Sequence, residues 1–271
     1  MKKTHLGIRS IAFLGATLGA QAALTSFNTS GSSDGYPIPG SLQQVMQSLL
    51  GNAAYDATSA ANRVQDSGNG VTDQVWTINS SSVTAIVLEI AGNRGINSFG
   101  LYNLNDKTKR LQVFAGGESS ATAAKTVTLA GGMAQVNGGP AVHVGNQFGF
   151  YLQSGNGPTY YSRESDNTPG TINDQMLTLK TDATQSLNLS ASGLGKWALP
   201  KVNGNNVTTT WNVGEYLLAW EDLDVPGGDR DYQDLLVKVS AVPVPEPSTY
   251  VAGGLALLPL LFRLRARMAK K

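Results

Sequence analysis

From about position 75 the chain is cut into short apolar runs, most of them closed by Gly, Asn, Asp or Pro, and this punctuation limits what it can fold into. The runs are 75–78, 83–91, 98–104, 111–115, 126–129, 148–153, 159–162, 176–179, 208–211, 215–220 and 235–240. Short runs between turn residues read as strands, and 31 glycines supply turn positions. Run 148–153 shows the two-residue period of a strand, with Phe148, Phe150 and Leu152 on one face and Gly149, Tyr151 and Gln153 on the other. The predicted fold is mainly β, a β-sandwich or jelly-roll-like domain over 74–242. A short helical section precedes it and an apolar helix follows.

The helical section falls within 23–73. Leu42, Val45, Met46, Leu49 and Leu50 recur at helical spacing, which predicts a helix over 42–50 covering one end or face of the β core. Ser41 with Gln44 forms a capping-box pattern, and Gly51 suits the stop. Residues 24–39 read as a loose lead-in and 66–73 as a polar linker.

The two ends read differently from the body. At the start, Lys2, Lys3 and Arg9 precede a short apolar run, 11–19, and Ala20-Gln21-Ala22 fits the small-x-small rule for a signal peptide over 1–22 cleaved after Ala22. At the other end, over 243–271, a proline-rich spacer leads to an apolar segment, 250–262, and then to Arg263, Arg265, Arg267, Lys270 and Lys271. A helix over that segment spans only ~20 Å, short of a ~30 Å hydrocarbon core, so it predicts a marginal, transient inner-membrane anchor with a cytoplasmic C-terminus.

These ends also hide the charge of the body. The formal net charge is +1, but eight of the 20 basic residues lie in the two termini. Setting those aside leaves 12 basic against 19 acidic residues, a net charge of −7, which argues against nucleic acid as a partner because phosphate is repelled. The absence of Cys excludes disulfides, thiolate catalysis and thiolate metal sites.

Six of the 19 acidic residues fall within 221–234: Glu221, Asp222, Asp224, Asp229, Asp231 and Asp234. Apolar runs flank them and Pro226-Gly227-Gly228 supplies a turn, which predicts a β-hairpin over 216–240 with a carboxylate-rich connection. A hard cation such as Ca²⁺ takes about six to eight oxygen ligands, and the six carboxylates are candidate donors, although their spacing is not that of an EF-hand. The alternative is structural: Asp side chains accept turn N–H bonds, and Arg230 can pair with one or two of them.

Two resemblances follow from these residues. The order Pro245-Glu246-Pro247, apolar segment, and Arg263, Arg265 and Arg267 resembles a PEP-CTERM sorting signal. This implies export in a Gram-negative bacterium, cleavage by an exosortase-like transpeptidase after signal peptidase has acted, and delivery to the cell surface or an exopolysaccharide matrix. In the body, Glu221-Asp222-Leu223 followed by Gly228-Asp229-Arg230-Asp231-Tyr232-Gln233-Asp234-Leu235 resembles the domain-of-unknown-function family forty-one fourteen, with 98–102 and 149–152 as companions. That resemblance implies a β-rich surface module without an established activity.

The resulting expectation is a non-enzymatic exported protein. The competing expectation is a jelly-roll protein that binds or hydrolyses polysaccharide, with Glu164 and Asp166, or Glu89 and Glu118, as a carboxylate pair and Trp197, Tyr160 and Tyr161 as stacking rings. His143 is the one histidine outside the signal segment, and its neighbours Val142 and Val144 place it in a strand.

Overall fold

The computed structural model describes residues 24–30, 40–66, 71–79, 81–89, 95–118, 124–155, 157–167, 174–223 and 229–245. Among them a single α-helix, α1 (Leu42–Leu50), precedes fifteen strands. These are β1 (Val71–Thr77), β2 (Ser81–Glu89), β3 (Ser98–Asn103), β4 (Asp106–Phe114), β5 (Lys125–Ala130), β6 (Met133–Val136), β7 (Val142–His143), β8 (Phe148–Gln153), β9 (Thr159–Tyr161), β10 (Met176–Lys180), β11 (Gln185–Asn188), β12 (Thr208–Trp211), β13 (Tyr216–Trp220), β14 (Leu235–Val239) and β15 (Val242–Pro245). The signal segment, Glu246, Pro247, the apolar segment and the basic end lie outside the described residues. Among those described, no helix is long and apolar enough to cross a membrane.

Two antiparallel sheets share a core. The first has the order β15-β1-β8-β3-β4, with β9 added to β8, and the second runs β10-β13-β14-β2-β5-β6-β7. Trp76, Phe99, Phe148 and Phe150 of the first sheet pack against Leu218, Trp220, Leu235 and Val237 of the second. The face predicted for Phe148, Phe150 and Leu152 is this core face. On the opposite face of the first sheet, Gly100 stands across from Tyr151 and Gly149 across from Tyr102. Each glycine leaves room for a tyrosine ring of the neighbouring strand, since a Cβ on Gly149 would lie 2.2 Å from the Tyr102 ring.

A second core lies on the far side of the second sheet. Strand alternation sends Leu217 and Ala219 of β13 there, together with Leu177 and Leu179 of β10 and Leu236 of β14. The helix covers this face with Leu42, Val45, Met46 and Leu49, joined by Leu187 of β11 and Trp211 of β12. β13 and β14 are therefore covered on both sides, which is why both read as apolar runs, broken only by Lys238, whose ammonium donates to the Thr210 carbonyl and Glu215. Ser41 Oγ accepts the Gln44 N–H at 3.4 Å, Gln44 Oε1 accepts from the Gly40 N–H at 2.7 Å, and Gly51 closes the helix at φ 61°.

Three segments depart from the expectation. The linker expected over 66–73 holds Asp66 and Asp73, each 1% exposed, and β1 begins at Val71. The described part of the lead-in, 24–30, is bonded rather than loose: Asn28 N–H donates to the Arg230 carbonyl at 2.8 Å, and Ser41 Oγ to the Thr29 carbonyl at 3.1 Å. The proline-rich spacer is not free of the sheet, because β15 pairs with β1 through Pro245 opposite Val71 and Val242 opposite Thr77. It sits at the sheet edge, where missing proline N–H groups are tolerated.

Candidate metal site at the closing hairpin

The predicted hairpin is present, with β13 and β14 in register from Tyr216 opposite Val239 to Trp220 opposite Leu235. Its connection leaves β13 at Glu221 and re-enters β14 after Asp234. Arg230 and Tyr232 both take the left-handed conformation, at φ 58° and 55°. This costs a non-glycine residue about 1–3 kcal/mol and persists only where the surroundings hold it. Here they do: Asn28 N–H bonds the Arg230 carbonyl, and Leu42 N–H, at the start of α1, bonds the Asp231 carbonyl, both at 2.8 Å. Tyr232 is fully buried, and its hydroxyl donates to the Asp174 carbonyl at 2.5 Å. Asp231, between the two left-handed residues, is thereby fixed inside the protein.

Glu221, Asp229 and Asp231 each bring a carboxylate oxygen within 4.8 Å of the other two. Glu221 and Asp231 are fully buried and Asp229 is half-buried. Asp231 is oriented by Gln233, whose N–H and Nε2–H donate to its two oxygens at 3.2 and 2.8 Å. Glu221 differs, since neither of its carboxylate oxygens has a hydrogen-bond donor at bonding geometry among the described residues. Burial, then repulsion from Asp229 and Asp222, raises its pKa from 4.5 to about 8.

Asp222 and Asp234 lie beside this group but are bonded within the protein. Asp222 accepts from Asn97 Nδ2 at 2.8 Å, and its own N–H donates to Asp234 Oδ2 at 2.8 Å. Both thus bond within the protein, and Asp234 is pushed well above the usual carboxylate range by burial, then by Glu221. Asp224 lies outside the described residues. The Arg230 guanidinium donates to the Ser26 carbonyl at 2.8 Å, stapling the N-terminal segment to the hairpin. Asn97 holds the site without any sequence signal marking it, because its partner Asp222 is distant in the chain; Tyr232 and Gln233 stand in the 228–235 motif, but their supporting roles depend on the left-handed turn.

A set of carboxylate oxygens without His or Cys suits a hard cation. A cation supplies what Glu221 lacks, a positive centre for two buried oxygens, and Ca²⁺ tolerates the irregular geometry of a loop better than Mg²⁺ does.

Asp166, Glu118 and Glu164 of the residues considered for sugar chemistry have partners of their own. Asp166 accepts from the Tyr102 hydroxyl at 2.7 Å and pairs with Arg163. Glu118 pairs with Lys125 at 2.6 Å. Glu164 shares a 3-10 turn with Asp166, and Glu89 ends β2. Trp197, Tyr160 and Tyr161 are buried, which removes them as open stacking rings. His143 is an exposed residue of β7, as its neighbours predicted, with its ring beside Asn103.

Fold and site together define an antiparallel β protein with an oxygen-donor cluster where its last two long strands are joined. Residues 142–242 match the model of a family described as a domain of unknown function, DUF4114. The matched stretch, a little over a third of the chain, contains β7 to β14 and the whole acidic cluster, while α1 and β1 to β6 lie upstream of it. No curated protein and no solved structure matches the chain.

Proposed function

We propose that the chain is an exported, non-enzymatic β-sandwich protein whose closing hairpin binds Ca²⁺ through Glu221, Asp229 and Asp231. In this reading signal peptidase releases it after Ala22, and the apolar segment holds it transiently in the inner membrane. An exosortase-like transpeptidase then acts near Pro245-Glu246-Pro247 and delivers the body to the cell surface or exopolysaccharide matrix. The tail motif and the signal segment support the destination. The observation that carries the molecular role is Glu221, a buried carboxylate with no donor at bonding geometry on either oxygen among the described residues, turned to two further carboxylates. The bound ion would join the end of β13 to a loop that itself anchors the N-terminal segment and the start of α1.

Thermal unfolding of the chain from Ala23 to Lys271, in detergent, tests this. An ion that binds only the folded form stabilises it by mass action. Ca²⁺ at about a hundredfold excess over its Kd raises the midpoint by roughly 5–10 °C for a body of this size. Glu221→Gln removes the rise while leaving the Ca²⁺-free midpoint near that of the parent, because Gln resembles the protonated acid. An unchanged midpoint at millimolar Ca²⁺, or the same rise in the variant, contradicts the assignment.

A further inference from the structure

Near Asp174, whose carbonyl accepts from the Tyr232 hydroxyl, three aspartates and one arginine are buried. Asp66 and Asp73 are each 1% exposed, Asp174 is 6% and Arg63 is 2%. Arg63 serves one of them, donating from Nη2 to Asp66 Oδ2 at 2.6 Å and from Nη1 to the Thr25 carbonyl at 2.7 Å. One oxygen of each aspartate is left over: Asp66 Oδ1, Asp73 Oδ2 and Asp174 Oδ2 are buried without a donor among the described residues. Three carboxylates against one guanidinium leave an excess of negative charge where water does not screen it. Burial and mutual repulsion accordingly push Asp73 and Asp174 well above the usual carboxylate range, with Glu164 adding to the repulsion on Asp174.

The N-terminal segment leads onto this cluster. Thr25 N–H donates to Asp66 Oδ2, and the Thr25 side chain reaches Asp66 and Asp174. Phe27 lies 5.9 Å from the Arg63 guanidinium and packs edge-on against Tyr232. Thr25 is two residues from Ala23, the first residue once the chain is cut after Ala22. Consecutive Cα atoms are ~3.8 Å apart, so the Ala23 nitrogen is tethered within about 8 Å of the Thr25 nitrogen.

We infer that the Asp66, Asp73 and Asp174 cluster is the receptor for the α-ammonium group of Ala23 created by signal-peptide removal. The inference rests on the export reading and not on Ca²⁺. Hydrolysis of the Ala22–Ala23 bond adds the water oxygen to the Ala22 carboxylate, and both water hydrogens go to the Ala23 nitrogen, which becomes –NH₃⁺. That group brings one positive charge, which favours ionisation of the buried carboxyls, and three N–H donors for the three oxygens that have none among the described residues. In the precursor the same nitrogen is a neutral amide with a single N–H and can supply neither. The body therefore reaches its full stability only after cleavage.

Two chains ending at Lys271 separate this from a purely structural cluster, one beginning at Ala23 and one at Ala20. Both have a free amine and the same charge, and only the position of the ammonium differs. The Ala20 chain is expected to unfold roughly 4 °C lower or more, and Asp73→Asn with Asp174→Asn to close the gap. Equal midpoints for the two unsubstituted chains overturn the inference. Should the double variant not fold, amine reactivity decides. The Ala23 amine is expected to acylate about tenfold more slowly in the native protein than the Ala20 amine, and equal rates overturn the inference. The N-terminal residue of the exported protein is read separately. A start elsewhere than Ala23 contradicts the export reading, whereas equal midpoints with a start at Ala23 contradict the receptor alone.

Discussion

Glu221 is a carboxylate held where a carboxylate is least comfortable. Its pKa rises from 4.5 to about 8 through burial and then through Asp229 and Asp222. Between those values the folded chain keeps a proton that the unfolded chain has released. Without metal, the stabilisation linked to that proton is full below about 4.5 and is lost as pH rises through about 8. Asp234, raised for the same cause, acts with the same sign. A divalent cation must displace the proton, so the stability gained from Ca²⁺ grows from pH 5 to pH 9. Unfolding midpoints at several pH values, with Ca²⁺ and with a chelator, check this; an increment that shrinks towards pH 9 argues against metal at Glu221. The acidic cluster was plain in the sequence, but its division of labour was not. Spacing alone could not tell Asp229 and Asp231, turned to Glu221, from Asp222 and Asp234, tied to Asn97 and to each other. That division depends on two left-handed residues held by distant partners.

At the scale of elements, strands that carry their own pattern were legible and strands made by their neighbours were not. β8, β13 and β14 announce themselves by alternation or by runs that are almost wholly apolar. β11, with the sequence Gln185-Ser186-Leu187-Asn188, is a strand because β12 pairs with it, and β15 because the edge of β1 accepts it. The segment 98–102 and the segment 149–152 pair directly, and the reason lies in their glycines. Gly100 faces Tyr151 and Gly149 faces Tyr102 across the β3–β8 ladder. Gly149→Ala forces a methyl group 2.2 Å from the fully buried Tyr102 ring, and overpacking of this kind costs about 1–3 kcal/mol. Urea unfolding reads the loss. A variant as stable as the parent shows that the ring moves freely, contrary to its packing.

For the whole molecule, β13 and β14 are the common wall of two cores, one between the sheets and one under α1. The sequence made one sandwich with a covering helix legible. It did not show how far that second layer extends, because the lead-in, Arg63 and Asp66 join it through contacts across the chain. A shared wall predicts joint unfolding. Met46→Ala in the helix layer and Phe150→Ala between the sheets each lower stability by about 2–5 kcal/mol, and both displace the same single thermal transition. Two separable transitions, each answering to one variant, contradict a shared wall. The hairpin that ends this wall also bonds Ser26, Asn28 and Leu42 through Arg230 and Asp231, so an ion there braces the sheet, the helix and the N-terminal segment together. The most direct test is a crystal structure of the chain grown with Ca²⁺. The expected result is an ion about 2.3–2.6 Å from oxygens of Glu221, Asp229 and Asp231; Glu221 without a cation at saturating Ca²⁺ contradicts the account.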